Sequence, residues 1–360
     1  MPNLHVIGAG PAGCFAACEA AKRGFSVAVS EEHARIGQPV HCSGLVSASG
    51  LEKMSDVVPY KKIIQNGIRR ANLHGQHSRV SITFPKPKAY VIDRGGFDNL
   101  AAQKAEDLGA KFHMGGRITK ISQLLSANVI GADGPNSSVA KLFNFPRIRS
   151  FACAWQGDFA YSSPDLSAVE VFFDPRIAPG FIGWVIPINE ETAKIGLGVS
   201  LPKSVLAAKK KFLTMAGIEG MKPLSEFSAI IPIEMRRRTA GRFGNYNVCL
   251  AGDAAGQVKA SSGGGIFFGA MCGKLAGEHF SHPEKYESAW REKYGKDLLL
   301  HHLLRNWLDT LTPSMLDAWL SMLKAMRIDI MLGEIGEMDE YSKMISPDAA
   351  AAMANAWLRN

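Results

Sequence analysis

The stretch Leu4–Glu32, LHVIGAGPAGCFAACEAAKRGFSVAVSEE, decides how the rest of the chain is read. Leu4, Val6 and Ile7 predict a short buried strand, and Gly8-Ala9-Gly10-Pro11-Ala12-Gly13 follows with G-x-G-x-x-G spacing. Gly8 permits the tight turn, Gly10 lets a pyrophosphate approach the backbone, and Gly13 lets the next helix pack closely on the strand. That helix is expected from about Ala12 to Lys22, its N-terminal amides and dipole facing the pyrophosphate. Gly24 ends it, Phe25–Val29 predicts a second strand, and Glu31 stands eighteen residues past Gly13. A carboxylate at that strand end can accept from both hydroxyls of an adenosine ribose. A glycine turn alone says little. Between a strand and a helix, with an acid at the next strand end, it specifies a dinucleotide-binding βαβ unit.

Around this unit, 360 residues leave room for two domains with large cores. A hydrophobic content of 46% with 21% charged residues is ordinary for a globular protein. The first strand begins at Leu4, which leaves no room for a signal peptide. No apolar run approaches the roughly 18 residues of a spanning helix. Cys14, Cys18, Cys42, Cys153, Cys249 and Cys272 lack metal-ligand spacing, and Cys14 and Cys18 read as small core residues on one helix face. A reducing, cytoplasmic setting fits this usage. The net charge is +8, with clusters at Lys61-Lys62, Arg69-Arg70, Lys209–Lys211 and Arg236–Arg238. These read as solvated faces, or as contacts to anionic lipid or an acidic electron carrier. No nucleic-acid fold signature accompanies them, so nucleic acid is not an expected partner.

Further along, His33–Leu45 is a loop rich in Gly and Pro that holds Cys42 in a turn beside the glycine fingerprint. Val80, Ile82 and Phe84 alternate and predict strands of another sheet within Val57–Val91. Tyr90–Asp98 leads into a helix expected over Phe97–Leu108, and Lys111–Ile118 and Ala127–Ile130 resume the parallel sheet. The region Phe151–Arg238 is strand-rich (Ala168–Phe173, Gly183–Ile188, Ile195–Ser200, Ser228–Glu234), with a helix over Lys203–Gly217. Asn247–Leu250 is a last buried strand. It runs into Ala251–Gly256, a glycine-rich turn and a small-residue helix ending near His279. From Glu284 the chain reads as helices, with Pro313 after Thr312 and Pro347 after Ser346 as first-turn prolines.

Three separated segments agree with one another: GAGPAG with Glu31, GADGPNS at 131–137, and LAGDAAG at 250–256. Together they resemble the FAD-dependent oxidoreductases of the glutathione-reductase type. IGQPVHCSGL, VIDRGGFDNL and GDAAGQVKASSGGGI are more specifically similar to the geranylgeranyl reductase family, which includes archaeal digeranylgeranylglycerophospholipid reductases. The resemblance covers about residues 1–280. It implies that Gly8, Gly10, Ala12 and Gly13 take the pyrophosphate of FAD, Glu31 the ribose, and the backbone of Ile118, on a sheet strand, the adenine. Arg94, Asp133, Gly252 and Asp253 are implied near the flavin side and the ribityl–pyrophosphate linkage. Amides around Gly264, Gly265 and Ile266 are implied at the ring, where a helix start stabilises the reduced flavin. Cys42, Ser43 and Gly44 occupy the family's cysteine-bearing loop, with Cys42 or an ordered water as candidate proton donor.

Two departures matter. The family's substrate motif P-x-x-Y-x-W-x-F-P stands here as Pro179, Ile182, Trp184, Ile186 and Pro187, so the tyrosine and phenylalanine are both isoleucine. The implied substrate wall is therefore Ile182, Trp184 and Ile186, more aliphatic than the pattern. The aromatic-hydroxylase pattern D-G-x-x-S-x-V-R carries Ala140 in place of its arginine, against hydroxylase-style nicotinamide docking.

The expected fold is α/β: a discontinuous Rossmann-like FAD-binding domain with an inserted strand-rich substrate domain and a C-terminal helical region. The FAD domain is expected over 1–58, 88–150 and 241–283, the substrate domain over 59–87 and 151–240, and the helical region over 284–360. The implied activity is FAD-dependent saturation of isolated double bonds in geranylgeranyl or other prenyl chains of membrane-lipid precursors, by hydride from flavin N5. The alternatives are a flavin monooxygenase or halogenase on the same fold, and a flavin electron-transfer protein at a membrane. The electron donor stays open between a ferredoxin-like carrier, a reduced deazaflavin and NAD(P)H. The tail stripe Leu303, Leu304, Trp307, Leu308, Leu311, Met315, Trp319 and Met322 has two readings. It either packs on the substrate domain and closes a tunnel, or rests peripherally on the anionic inner face of a membrane.

Overall fold

The structure, a computed structural model, describes residues 1–344. Its first sheet has six strands in the order Ala240–Phe243, Tyr246–Leu250, Asn128–Gly131, Leu4–Ile7, Val27–Glu31, Lys111–Met114. All neighbours are parallel except the Ala240–Phe243 edge strand. Leu4–Ile7 and Val27–Glu31 are buried along their whole length, as strands covered on both faces must be. The fingerprint helix, Pro11–Lys22, packs against Ile266–His279. Gly273 and Gly277 lie against the backbone of Ala12 and Ala16 there, so close that no side chain fits between the helices. Cys14 donates to the Ala9 carbonyl at 3.2 Å, and burial pushes its thiol well up. It is a core residue, as its helix face predicts.

Several boundaries differ from the sequence expectation. The second strand begins at Val27 rather than Phe25, because Phe25 stays 42% exposed and packs edge-on against Phe280. The helix expected from Phe97 spans Arg94–Asp107, because the Asp93 carboxylate accepts from Gly96 N at 3.0 Å and caps it earlier. Ile118 is not on a strand. Lys111–Met114 ends at Gly115 (φ +77°), whose amide donates to the His33 carbonyl, and Ile118 follows in a loop with its side chain buried near Ile7 and Val129.

The second sheet has seven strands, in the order Ser225–Pro232, Phe151–Ala160, Thr192–Ser200, Gly183–Pro187, Ala168–Phe172, Arg70–His74, Arg79–Thr83. Only the pairing of Ala168–Phe172 with Arg70–His74 is parallel. Alternation gives it two faces. Trp155, Phe159, Ile195, Leu197 and Val199 pack under the helix Val205–Met215 through Phe212. The other face turns Gln156, Trp184, Val171 and Leu73 toward a large cavity, in one row across the strands. A small sheet of Leu45–Ser47, Ala89–Ile92 and Ile64–Ile68 joins the two larger ones.

The tail consists of helices Pro283–Trp290, Lys296–Thr310, Pro313–Ala325, Ile328–Ile335 and Tyr341–Met344. Thr312 caps the third, accepting from Met315 N at 3.3 Å, with Pro313 in its first turn as expected. The Ser346–Pro347 expectation lies outside the described residues. Leu316, Leu320 and Leu323 pack on Val80, while Met315, Met322 and Met326 face outward. The tail stripe thus divides between residues packed on the second sheet and residues left exposed. Its helices close the open side of the second sheet.

Candidate active site

Two helices begin at the same cavity. Gly10 is the N-cap of Pro11–Lys22 and Gly265 that of Ile266–His279, and neither start carries a side-chain cap. Gly10, Ala12, Gly252, Asp253, Gly264, Gly265 and Ile266 line the cavity together. The first-turn amides of both helices are therefore available to an anionic group. Gly8 (φ +100°) sits against the Ala132 carbonyl and Gly13 against the Gly8 carbonyl, so these two shape the turn without lining the cavity. At Gly10 a Cβ would meet nothing within 4 Å, which leaves the approach open.

Glu31 ends its strand beside the turn. Its carboxylate accepts from Ala9 N at 2.7 Å and His33 N at 3.0 Å, and pairs with His33 Nδ1 at 2.5 Å. Arg94 lines the cavity and donates to Asp98 at 2.5 Å. Burial raises Asp98 to about 6, with Arg94 opposing. Burial likewise raises Asp253 to about 6, Arg94 again opposing, and no described residue donates to the Asp253 carboxylate. Asp133 does other work than contacting the cavity. It accepts from the Ser137 hydroxyl at 2.6 Å and from the Ser138 and Val139 amides, which starts the short helix Ser138–Leu142. Its neighbours Ala132, Gly134, Pro135 and Asn136 are the residues that line the cavity. Cys42 and Ser43 line it too, and the Cys42 sulfur accepts from Gly44 N at 3.4 Å. Gly44 (φ +69°) faces away, against the Ile92 carbonyl.

These residues fit FAD. This end of the cavity holds an Asp253 carboxylate that accepts no hydrogen bond from a described residue, beside two uncapped helix starts whose amides favour an anionic partner. Ribityl hydroxyls, a pyrophosphate and the polar edge of a flavin ring would satisfy all three.

The cavity measures about 1190 Å³ and continues from this polar end onto the second sheet. Ile182, Trp184 and Ile186 line it, as the sequence implies, joined by Val169, Val171 and Leu73. Trp184 lies flat across the neighbouring strand because position 196 is glycine, and its Nε1 donates to Gln156 Oε1 at 3.0 Å. Leu300, Leu304, Leu308 and Trp319 close the far wall. Sequence reasoning missed Gln156, Gly196, Lys259 and Asp339. Their partners lie 12 to 80 residues away in the chain, and no local spacing marks them. The basic clusters are partly spent on partners within the protein, one buried and one at the surface. Arg236 is buried and donates to the Ala254 carbonyl at 2.6 Å, and Lys209 pairs with Glu226 at 2.7 Å above the Trp155 ring.

A family model described as FAD dependent oxidoreductase (DAO) matches residues 4–132. The digeranylgeranylglycerophospholipid reductase 2 of Methanothermobacter thermautotrophicus is 31% identical over 364 residues, covering 89% of this chain and 91% of its own length. The digeranylgeranylglycerophospholipid reductase of Methanocaldococcus jannaschii is 28% identical over 356 residues, covering 88% of this chain and 89% of its own. In fold, the chain is similar to a geranylgeranyl bacteriochlorophyll reductase-like protein of Thermoplasma acidophilum (TM-score 0.80, 21% identity, 99% of this chain and 95% of that one). With a dinucleotide turn, two helix starts at one cavity and near full-length similarity to such reductases, this chain belongs to the geranylgeranyl reductase family and is an FAD-dependent reductase.

Proposed function

We propose that this reductase saturates isolated double bonds in the prenyl chain of a membrane-lipid precursor. The observation that carries the reading is the cavity, which runs unbroken from the polar flavin end into an aliphatic chamber walled by Trp184, Ile182, Val171 and Leu304. An isolated alkene offers no polar handle, so a chain must be positioned by shape and by exclusion of water. Trp184, held flat by Gln156, supplies a rigid wall, and the branched residues around it exclude water. FAD held at the helix starts of Gly10 and Gly265 would, when reduced, supply the hydride for one alkene carbon. The second carbon needs a proton. Cys42, which is half-buried and lines the cavity, and an ordered water are the candidates for that step.

The same reading brings the protein to a lipid surface. Helix Lys296–Thr310 carries two apolar stripes: Leu300, Leu304 and Leu308 turn into the cavity, while Leu299, Leu303 and Trp307 face outward. Met315, Met322 and Met326 extend the outer stripe. Trp307 meets Trp319, a cavity residue, at 5.1 Å between ring centroids, so the outer face and the chamber adjoin there. Exposed apolar contiguity of this kind suits shallow insertion into a bilayer. Among the described residues no helix is long and apolar enough to cross one.

Anaerobic incubation of the FAD-loaded protein with dithionite and a panel of prenyl lipids, read by mass spectrometry, tests the proposal. Products heavier by pairs of hydrogens are expected. Unchanged lipids under these conditions, or oxygenated products formed only on admitting air, would reject it.

A further inference from the structure

Asp339 reaches from the C-terminal region to Lys259, in the loop that leads to Gly264 and Gly265. Lys259 Nζ donates to Asp339 Oδ1 at 2.7 Å and to the Met338 carbonyl at 3.3 Å, and both side chains line the cavity. They are 9% and 4% exposed. The other Asp339 oxygen accepts from Ser47, the N-cap residue of helix Ala48–Lys53. The main-chain carbonyl of Asp339 meets His301 Nε2 at 3.3 Å, and His301 Nδ1 lies 2.8 Å from Ser261 Oγ. Burial, with Lys259 adding to it, pushes His301 down to about 3, so the imidazole adds no charge to the group. Burial alone would raise the Asp339 carboxyl. Lys259, with Ser47, holds it below its ordinary range, so the carboxyl is ionised.

An ion pair buried in a largely apolar cavity is costly to desolvate, and apolar contacts could hold the tail down at least as well. Its position gives it another use. The Lys259 side chain lies against Gly264, where a Cβ would stand 2.5 Å from Cε and 3.1 Å from Nζ. The ammonium is therefore beside the uncapped start of Ile266–His279, whose aligned amides already favour negative charge.

We propose that Lys259 and Asp339 form a tuning pair that sets how strongly this site prefers reduced over oxidised FAD. Lys259 favours the added negative charge of the reduced cofactor, and Asp339 offsets that pull. Because Asp339 belongs to the tail, the seating of the tail over the cavity and the charge preference of the site are one arrangement. This rests on FAD binding and not on the prenyl substrate, so it stands or falls independently of the lipid assay.

The test reads the midpoint potential of the FAD-loaded, full-length protein by equilibration with redox dyes. Lys259→Met is expected to lower the potential and Asp339→Asn to raise it, with the double variant returning close to wild type. Each single change corresponds to a shift on the order of tenfold in the ratio of affinities for reduced and oxidised FAD. Lys259→Arg and Asp339→Glu keep the charges and should move the potential less than the neutralising variants. Where a variant no longer retains FAD on purification, titrating the apoprotein with oxidised and with reduced FAD yields the same ratio. An unchanged potential in either neutralising variant, or shifts in the same direction in both, overturns the proposal and leaves the pair a structural latch.

Discussion

Gly196→Ala should damage the substrate wall without touching the flavin end. Gly196 stands in register between Gln156 on one neighbouring strand and Trp184 on the other. A Cβ there would lie 2.7 Å from Cζ2 and 2.8 Å from Cε2 of the Trp184 indole, and 2.7 Å from the Trp155 carbonyl oxygen. The carbonyl belongs to a paired strand and has little room to retreat, so the indole must lift. That breaks its 3.0 Å bond to Gln156 Oε1. Gln156 is 1% exposed and its Nε2 already has no partner, so the whole amide would be left unsatisfied. Each buried group left unpaired costs about 1–3 kcal/mol, and with the indole N–H counted as well the expected loss is about 2–4 kcal/mol. Urea unfolding of Gly196→Ala, Trp184→Leu and the double variant separates the part that passes through the indole. A coupling of at least about 1 kcal/mol between the two positions is expected, since they are in direct contact. FAD stoichiometry should stay near wild type while prenyl turnover falls. Gly196→Ala as stable as wild type, or an equal loss in both backgrounds, would refute the idea that the glycine exists to seat the indole.

Three further outcomes are expected. Glu31→Ala should weaken FAD by about 1.5–3 kcal/mol through loss of a charged hydrogen-bond partner, measured by fluorescence titration; unchanged affinity would remove Glu31 from the site. In the FAD-free protein, Asp253 is raised from 3.8 to about 6 chiefly by burial, so the folded state binds its proton more tightly than the unfolded chain. The stability this confers is present below the unfolded value and lost as pH rises through the folded one. Asp253→Asn should therefore raise the Tm of the FAD-free protein at about pH 8 and leave it near wild type at about pH 4, while FAD binding weakens; equal Tm values for the two proteins across that range would count against the burial argument. Vesicle sedimentation should capture the protein, and Leu303→Glu with Met315→Glu, both at exposed positions, should release it without loss of fold; equal capture of variant and wild type would move the lipid contact to another face.

The sequence by itself determined the dinucleotide unit and its family, because that information is local. Gly8, Gly10 and Gly13 act within one turn, Gly8 through its left-handed backbone, Gly13 through its close approach to the Gly8 carbonyl and Gly10 by leaving the helix start open, and Glu31 sits at the end of the next strand. The roles of Gly264, Gly265 and Ile266 were implied by the resemblance of the segment GDAAGQVKASSGGGI to the family, while the sequence pattern itself showed only a glycine run entering an apolar helix. The Ile182–Trp184–Ile186 wall was implied by similarity to the family's substrate motif, and alternation placed it only on a strand. What alternation leaves open is which sheet face meets a ligand and which meets a helix. Only the tertiary structure set Gln156 beside Trp184 across an intervening strand, turned Leu304 inward and Leu303 outward on one helix, and buried Arg236 against carbonyls where charge patterning suggested a surface cluster. It also moved Ile118 off its expected strand, because Gly115 turns the chain through the left-handed region before that residue. The Lys259–Asp339 pair is the clearest case. The two residues are 80 positions apart, each unremarked by spacing or composition. Only the folding of the tail across the cavity brings an ammonium, a carboxylate and a helix start to one point, where low polarity makes their charges count.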